Sequence, residues 1–245
     1  SFDFKLCPVG DFFSFELFHG PTLAFKDVGA SFLANYLNLT NSNNEKSTVI
    51  VATSGDTGAA VANSFYGMQN FNIVILYPRN KITKFQEKQI TCLGKNIYPI
   101  EIDGNFDDCQ NLVKRLLIDR DIIKKLNIKS ANSINIGRWL PQVIYYFILL
   151  RELLNIDIKN ELVVSVPSGN FGNICAGLIA HKMGLPIRRF VASTNTNDTI
   201  PRFLENGKYI PKKTIRTISN AMDVNNPSNF PRIMKLFEND LNGLK

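Results

Sequence analysis

One local pattern recurs in the chain: a short apolar, β-branched run passes into a glycine-containing loop and then directly into a helix. Thr48–Ala52 (TVIVA) leads into Thr53-Ser54-Gly55-Asp56-Thr57-Gly58 and an Ala-rich helix ending at Phe65. Glu161–Pro167 (ELVVSVP) leads into Ser168-Gly169-Asn170-Phe171-Gly172-Asn173 and a small-residue helix over Ile174–Met183. Asn72–Tyr77, Ile97–Ile102 and Pro186–Ser193 read as further strands. Lys81–Leu93 reads as a helix with Ile82, Phe85, Ile90 and Leu93 inward. Asn105–Asp119 reads as another, with Phe106, Cys109, Val113, Leu116 and Leu117 on its apolar face. Strands that alternate with helices predict an α/β protein whose mostly parallel sheets are covered on both faces. Lys124–Asn135 reads as a polar connection, and Arg138–Leu154 as one buried helix despite Pro141. After Thr194 only short helices near Thr199–Glu205 and Pro231–Phe237 are expected.

The segment Leu17–Leu37 (LFHGPTLAFKDVGASFLANYL) places a lysine where a turn meets a helix. Gly20-Pro21-Thr22 is a turn, since proline fixes φ and glycine permits angles closed to other residues. Asp27 marks the helix start, and Phe25, Gly29, Phe32, Leu33, Tyr36 and Leu37 are predicted to share one face. An apolar collar around Lys26 disfavours its charged form, which suits a Schiff-base or proton-transfer lysine. The plainer alternative is a snorkelling surface lysine at a helix start.

The two glycine loops are candidate anion sites, because backbone N–H groups and a helix N-terminus converge there. Ser168–Asn173 matches neither GxGxxG nor GxxxxGK[ST], and a tight turn without a ligand is its alternative. Ser54-Gly55-Asp56-Thr57-Gly58 adds two hydroxyls suited to a carboxylate or phosphate; a bare N-cap is the alternative. Asn132-Ser133-Ile134-Asn135-Ile136-Gly137-Arg138 gathers polar donors, and Arg138 can grip a phosphate at two points. The alternative there is a capping cluster with an exposed arginine.

Composition narrows the function classes. The formal charge of +7 comes from 28 Lys and Arg against 21 Asp and Glu, but the basic residues form no blocks. That favours small anions at least as much as nucleic acid, for which no motif is present. Cys7, Cys92, Cys109 and Cys175 have no metal-binding or redox spacing, and free buried thiols in a reducing, cytoplasmic setting are expected. The two histidines, His19 and His181, lie in no metal or triad context, so chemistry dependent on a histidine base is poorly supplied. Uncharged stretches are interrupted by Asn, Gly and Pro, so no membrane association is expected. The chain opens on Ser1 inside patterned sequence, and a piece of a longer protein is expected.

HGPTLAFKD, ATSGDTG, the Asn-Ser-Ile-Asn…Arg segment and PSGNFGN, in this order, resemble the threonine synthases, in the branch with the fungal and many bacterial enzymes. The resemblance covers nearly the whole chain. It implies a two-lobed fold-type II pyridoxal phosphate (PLP) enzyme, similar to tryptophan synthase β. The smaller, mobile lobe would span 22–135 and the larger one 1–21 with 136–245, PLP lying in the cleft between them. The family implies conversion of O-phospho-L-homoserine and water into L-threonine and phosphate. Carried over, Lys26 is the Schiff-base lysine and moves protons, and Gly169, Asn170, Phe171, Gly172 and Asn173 cradle the PLP phosphate. Asp56 stands beside the cofactor's phenolic oxygen, and Ser54, Gly55 and Thr57 surround the substrate carboxylate. Asn132, Ser133 and Arg138, with Asn173 as a further candidate, hold the substrate phosphate. No metal is implied, and a monomer or homodimer is expected. Family members are longer at both ends, and the resemblance places the hydroxyl partner of the pyridine nitrogen beyond Lys245. A serine or threonine dehydratase is the alternative within the class, and a non-catalytic PLP- or phosphate-binding homologue the alternative outside it.

Overall fold

The computed structural model describes residues 2–41, 45–158, 161–240 and 243. The chain divides into two compact units, Ser1–Arg138 and Trp139–Lys245.

The first unit begins with an antiparallel hairpin, β1 (Lys5–Val9) and β2 (Phe12–Glu16), paired from Lys5 opposite Glu16 to Val9 opposite Phe12. Gly10 takes φ +57° in the two-residue turn, where glycine carries no steric penalty. The sequence reading places no strand here, because Phe12-Phe13-Ser14-Phe15 hardly alternates. There follow α1 (Asp27–Thr40), β3 (Ser47–Ala52), α2 (Asp56–Phe65), β4 (Phe71–Pro78), α3 (Lys84–Thr91), β5 (Ile97–Ile102), α4 (Phe106–Leu116), α5 (Arg120–Leu126), β6 (Ile128–Ser130) and α6 (Ile136–Trp139). Four of the strands form one parallel sheet in the order β5-β4-β3-β6. Both α5 and β6 overlap the stretch expected to be an irregular polar connection. At three residues β6 is too short to show periodicity, and it exists through pairing with β3, Thr48 opposite Ile128.

Alternation along β3 separates two cores. Val49 and Val51 join Leu33, Val61, Phe65 and Ile75 on one face, while Ile50 and Ala52 join Leu76, Cys109 and Val113 on the other. Helices therefore cover both faces, as a parallel sheet requires. Two predicted helix faces need correction. In α1 the buried stripe is Ala30, Leu33 and Ala34, while Phe32 and Tyr36 are about half exposed. The small alanines let the helix pack closely against α2, and the large aromatics stack on each other outside at 6.2 Å. In α3 Phe85 is exposed and the neighbouring Gln86 is buried. The starts of α3 and α4 are closed by side chains as propensity predicts: Thr83 with Gln86 and Asn105 with Asp108 form capping boxes.

The second unit contains α7 (Val143–Asn155), β7 (Leu162–Pro167), α8 (Gly172–Lys182), β8 (Ile187–Ser193), α9 (Thr199–Asn206) and α10 (Phe230–Leu236), with β7 and β8 paired in parallel. The single buried helix expected over Arg138–Leu154 is instead α6 and α7, separated by a tighter turn at Leu140–Gln142. Pro141 supplies no N–H, which ends the ladder there. One stripe of α7 is buried, Tyr145, Tyr146, Leu149 and Leu153, whereas Ile144, Phe147 and Leu154 are exposed. The Asn-rich region after Thr194 is held by polar side chains in addition to an aromatic cluster of Phe203, Tyr209 and Phe230. The Asp223 carboxylate accepts hydrogen bonds from Asn195, Asn197 and Thr217. Among the described residues, no helix is long and apolar enough to cross a membrane.

Phe65 is fully buried and meets Phe71 edge-on at 5.5 Å, whereas Phe85 is 58% exposed. Phe65→Ala is therefore expected to lower stability by about 3–5 kcal/mol, and Phe85→Ala by no more than about 0.5 kcal/mol. Urea unfolding of the two variants checks this; similar losses would contradict the assigned core.

Candidate active site

The lysine at the start of α1 is fixed by its turn. Leu23 N–H donates to the Gly20 carbonyl at 3.1 Å, and Leu23 takes φ +59°. Thr22 donates from both its backbone N–H and its hydroxyl to the buried Asp27 carboxylate. Asp27 thus closes the turn onto the helix N-terminus, where its charge also suits the helix dipole. A Cβ at Gly20 would stand 2.5 Å from Asp27 Oδ2, so the turn closes this tightly only around glycine.

Lys26 leaves this frame with its ammonium 4.5 Å from the Phe25 ring centroid. The collar is not apolar throughout, as the sequence reading expects. Lys26 Nζ lies 3.1 Å from Asp56 Oδ2, and the two side chains are 19% and 26% exposed. Asp56 is the first residue of α2, and Gly55 before it takes φ +134°. The loop is tied down by the buried Thr53 hydroxyl, which accepts from Gly55 N–H at 2.9 Å and Gly58 N–H at 2.8 Å. Thr53 was not a predicted site residue, although a threonine preceding a glycine loop is a recognisable cap signal. Ser54 and Thr57 are half-buried in the same loop. The Lys26 charge holds the Asp56 carboxyl below its ordinary value of 3.8; burial opposes this, and hydrogen bonds from Gln86 and Lys26 reinforce it.

The polar cluster at 132–138 belongs to the same unit. Asn132 is buried, accepts from Ala52 N–H at 2.9 Å and donates to the Ala52 carbonyl at 2.7 Å. Its amide continues the sheet ladder beyond β6. Arg138 is 3% exposed, so it is not the exposed capping arginine weighed from sequence. Its Nε donates to the Ala131 carbonyl at 2.8 Å and its Nη1 to the Lys26 carbonyl at 3.3 Å. Ser133 lies in the loop between these two residues and is half-buried.

In the second unit, Ser168 donates to the Ser193 and Val166 carbonyls and leads out of β7. A Cβ on Gly169 would lie 2.8 Å from Met222 Cα, so glycine alone admits that close approach. Asn170 Oδ1 accepts from Ser228 N–H and hydroxyl, and the Asn170 carbonyl accepts from Asn229. Phe171 turns the chain left-handed at φ +60° into α8, whose N-terminus has no side-chain cap. Asn173 donates to the Pro167 carbonyl, and Tyr146 hydroxyl donates to the Asn173 carbonyl. A glycine loop running into a helix N-terminus is a donor set that fits a phosphate, although the Ile174 N–H is taken by Asn173 Oδ1 at 3.0 Å. Ser228 and Asn229, which brace this loop, were not expected; their separation of almost sixty residues from Asn170 leaves no local signal.

Cys109 and Cys175 are buried, and burial pushes their thiols up to about 12 and about 11. Cys92 is exposed and Cys7 half-buried, which corrects the expectation that all four are buried. Each histidine has a local partner: His19 meets Glu16 at 2.7 Å, and His181 meets the Leu185 carbonyl at 3.3 Å.

A lysine paired with a carboxylate at a βα loop, beside a parallel sheet, defines a class that comparison with known proteins identifies. Residues 10–243 match the family described as "Pyridoxal-phosphate dependent enzyme", and the chain belongs to it. Within that family it is similar to threonine synthases. It is 54% identical over 233 residues to the threonine synthase of Buchnera aphidicola subsp. Schizaphis graminum, covering 95% of this chain and 54% of that protein. The crystal structure of threonine synthase from Escherichia coli superposes with a TM-score of 0.92 at 52% identity, covering 96% of this chain and 55% of that one. PLP-bound threonine synthase from Brucella melitensis gives 0.84 at 40% identity, covering 98% and 52%. The chain spans about half the length of the relatives it matches.

The depressed Asp56 carboxyl sets a pH dependence. A carboxyl lowered in the folded state contributes stability above its unfolded value, and that contribution is lost as the pH falls through the lower folded value. Asp56→Asn should therefore cost about 1–3 kcal/mol at neutral pH, between the values for exposed and buried pairs. The gap from wild type should close as the pH drops below about 4. Urea midpoints across that range test it; a gap independent of pH would show that the charge on Asp56 contributes nothing.

Proposed function

We propose that this chain carries the lysine and phosphate-binding parts of a threonine synthase, which uses pyridoxal phosphate to convert O-phospho-L-homoserine and water into L-threonine and phosphate. The observation that supports this most directly is Lys26, poised 3.1 Å from Asp56 in a chain 54% identical to a threonine synthase. PLP, when bound, supplies an electron sink at the substrate's Cα. Lys26 Nζ binds the cofactor and moves protons at Cα and Cβ, alternating between base and acid. Asp56 holds Lys26 Nζ in place at 3.1 Å and would stand beside the cofactor's phenolic oxygen. The N–H groups of Gly169–Asn173 hold the cofactor phosphate, where the α8 dipole favours negative charge. Ser54, Gly55 and Thr57 orient the substrate carboxylate, although Gly55 N–H is engaged by Thr53. Asn132, Ser133 and Arg138 serve the substrate phosphate. For Asn132 and Arg138 this is combined with backbone contacts, which fix them before substrate arrives. We assign 22–135 as the smaller, mobile lobe and 1–21 with 136–245 as the larger. We also infer a monomer or homodimer in the cytoplasm, supported by four free cysteines.

Lys26→Ala in the intact protein is expected to lower phosphate release from O-phosphohomoserine by about 10²–10⁴-fold, and to abolish borohydride fixation of PLP on the peptide containing residue 26. Fixation on another lysine would overturn the assignment. Ammonia released from serine, with no phosphate released from O-phosphohomoserine, would replace it with a dehydratase.

A further inference from the structure

Asp56 has a second partner that is not part of the proposed chemistry. Gln86, at the third position of α3, is 8% exposed, and its amide faces two ways. Its Oε1 accepts from Thr83 N–H at 3.0 Å and closes the capping box of α3. Its Nε2 donates to Asp56 Oδ1 at 2.7 Å, while Asp56 Oδ2 takes Lys26 at 3.1 Å. This orientation is chemically required, because an ionised carboxylate accepts only and must face the NH₂ group. The amide also lies across the glycine loop. A Cβ at Gly55 would fall 2.3 Å from Gln86 Cδ and Nε2, so the site is shaped to admit this side chain.

We propose that Gln86 is a positioning residue: through its bond to Oδ1 it fixes the Asp56 carboxylate so that Oδ2 meets Lys26 Nζ, linking the cap of α3 to the lysine. A carboxylate held at one oxygen only can rotate about its terminal torsion, whose wells are broad. Held at both, it presents one oxygen to the ammonium. The low Asp56 carboxyl agrees, since the Lys26 charge and the Gln86 hydrogen bond both favour the ionised form. The inference deepens the reading of Lys26 as the cofactor-binding lysine, but it concerns the cofactor-free protein and is tested there.

Three variants of the intact protein, prepared without PLP, separate positioning from capping. Gln86→Glu keeps an acceptor for Thr83 N–H, since glutamate serves a capping box equally well, but it cannot donate to Asp56 and adds a like charge. Gln86→Met removes the donor without adding charge. Thr83→Ala removes the cap hydroxyl and leaves the amide. The readout is the Asp56 titration, followed by carbon-13 NMR of aspartate-labelled protein and assigned by its absence in Asp56→Asn. The expected result is an upward shift in both Gln86 variants, larger for Gln86→Glu, with Thr83→Ala close to wild type. Unchanged titration in the Gln86 variants, or an equal shift in Thr83→Ala, would overturn the proposal. So would failure of both Gln86 variants to fold while Thr83→Ala folds, since that would reduce Gln86 to a structural cap. Because PLP is absent throughout, the result does not depend on whether Lys26 proves to bind it.

Discussion

The parallel pairing of β3 between β4 and β6 is the constraint on which the rest of the first unit depends. In a parallel sheet every strand ends at the same edge, so the loops that follow leave together. The loop after β3 runs through Thr53–Gly55 into Asp56 at the start of α2, and the loop after β6 runs through Ala131–Asn135 into α6, which carries Arg138. Asn132 shows how closely the two are joined. Ala131 N–H makes the last main-chain bond to Ile50, and the Asn132 side chain then supplies donor and acceptor to Ala52 in the chain's place. The backbone is thereby released toward Arg138 while Ala52, immediately before the glycine loop, keeps both polar groups satisfied.

Lys26 is held from two sides by groups that this pairing delivers. Its side chain meets Asp56 from the β3 loop, and its carbonyl accepts from Arg138, which follows β6. The main-chain contact fixes where the side chain begins, and the ion pair fixes where it ends. Neither contact alone would do both, because a lysine stem has several rotatable bonds. The pair is only partly screened from solvent, so its Coulomb gain is modest and the partial burial is not severely penalised.

Much of this was legible in the sequence, and each failure has a physical cause. The strands of the main sheet and the helices around them follow period-two and helical patterns over several residues, so β3, β4 and β5 are found within one residue of their expected limits, and α2 and α4 within three. Of the elements missed, β6 is formed by a partner distant in sequence, whereas the β1–β2 hairpin pairs locally but hardly alternates. Three-residue β6 exists through β3; after Thr194 the two expected short helices appear as α9 and α10, while the turns between them are ordered by Asp223 and its asparagines, which leave no periodic trace. Predicted faces fail where size outweighs hydrophobicity. The face of α1 that meets α2 uses alanines, because Phe32 or Tyr36 there would hold the helix away. In the site, Lys26 and both glycine loops were visible as residue types at a strand-to-helix turn. Thr53, Gln86, Ser228 and Asn229 were not, because each acts by orienting another residue.

Glycine positions show why that orientation tolerates so little change. A Cβ at Gly29 would stand 2.0 Å from the Arg138 carbonyl oxygen and 3.2 Å from its Nη1. Gly29 lies one turn into α1 from Lys26, on the side that the chain after β6 must approach for Arg138 to reach the Lys26 carbonyl. Gly55 does the same for Gln86 on the other side of the ion pair, and its φ of +134° adds a conformation that side-chain-bearing residues rarely adopt. In both places the missing Cβ lies opposite a polar group that holds Lys26 or Asp56. A methyl group at either position would act on the ion pair without touching it, by displacing the side chain or backbone that keeps one member in place. The glycines nearest the chemistry are thus packing residues for the polar contacts around Lys26, and their spacing along α1 and the β3 loop records where those contacts approach.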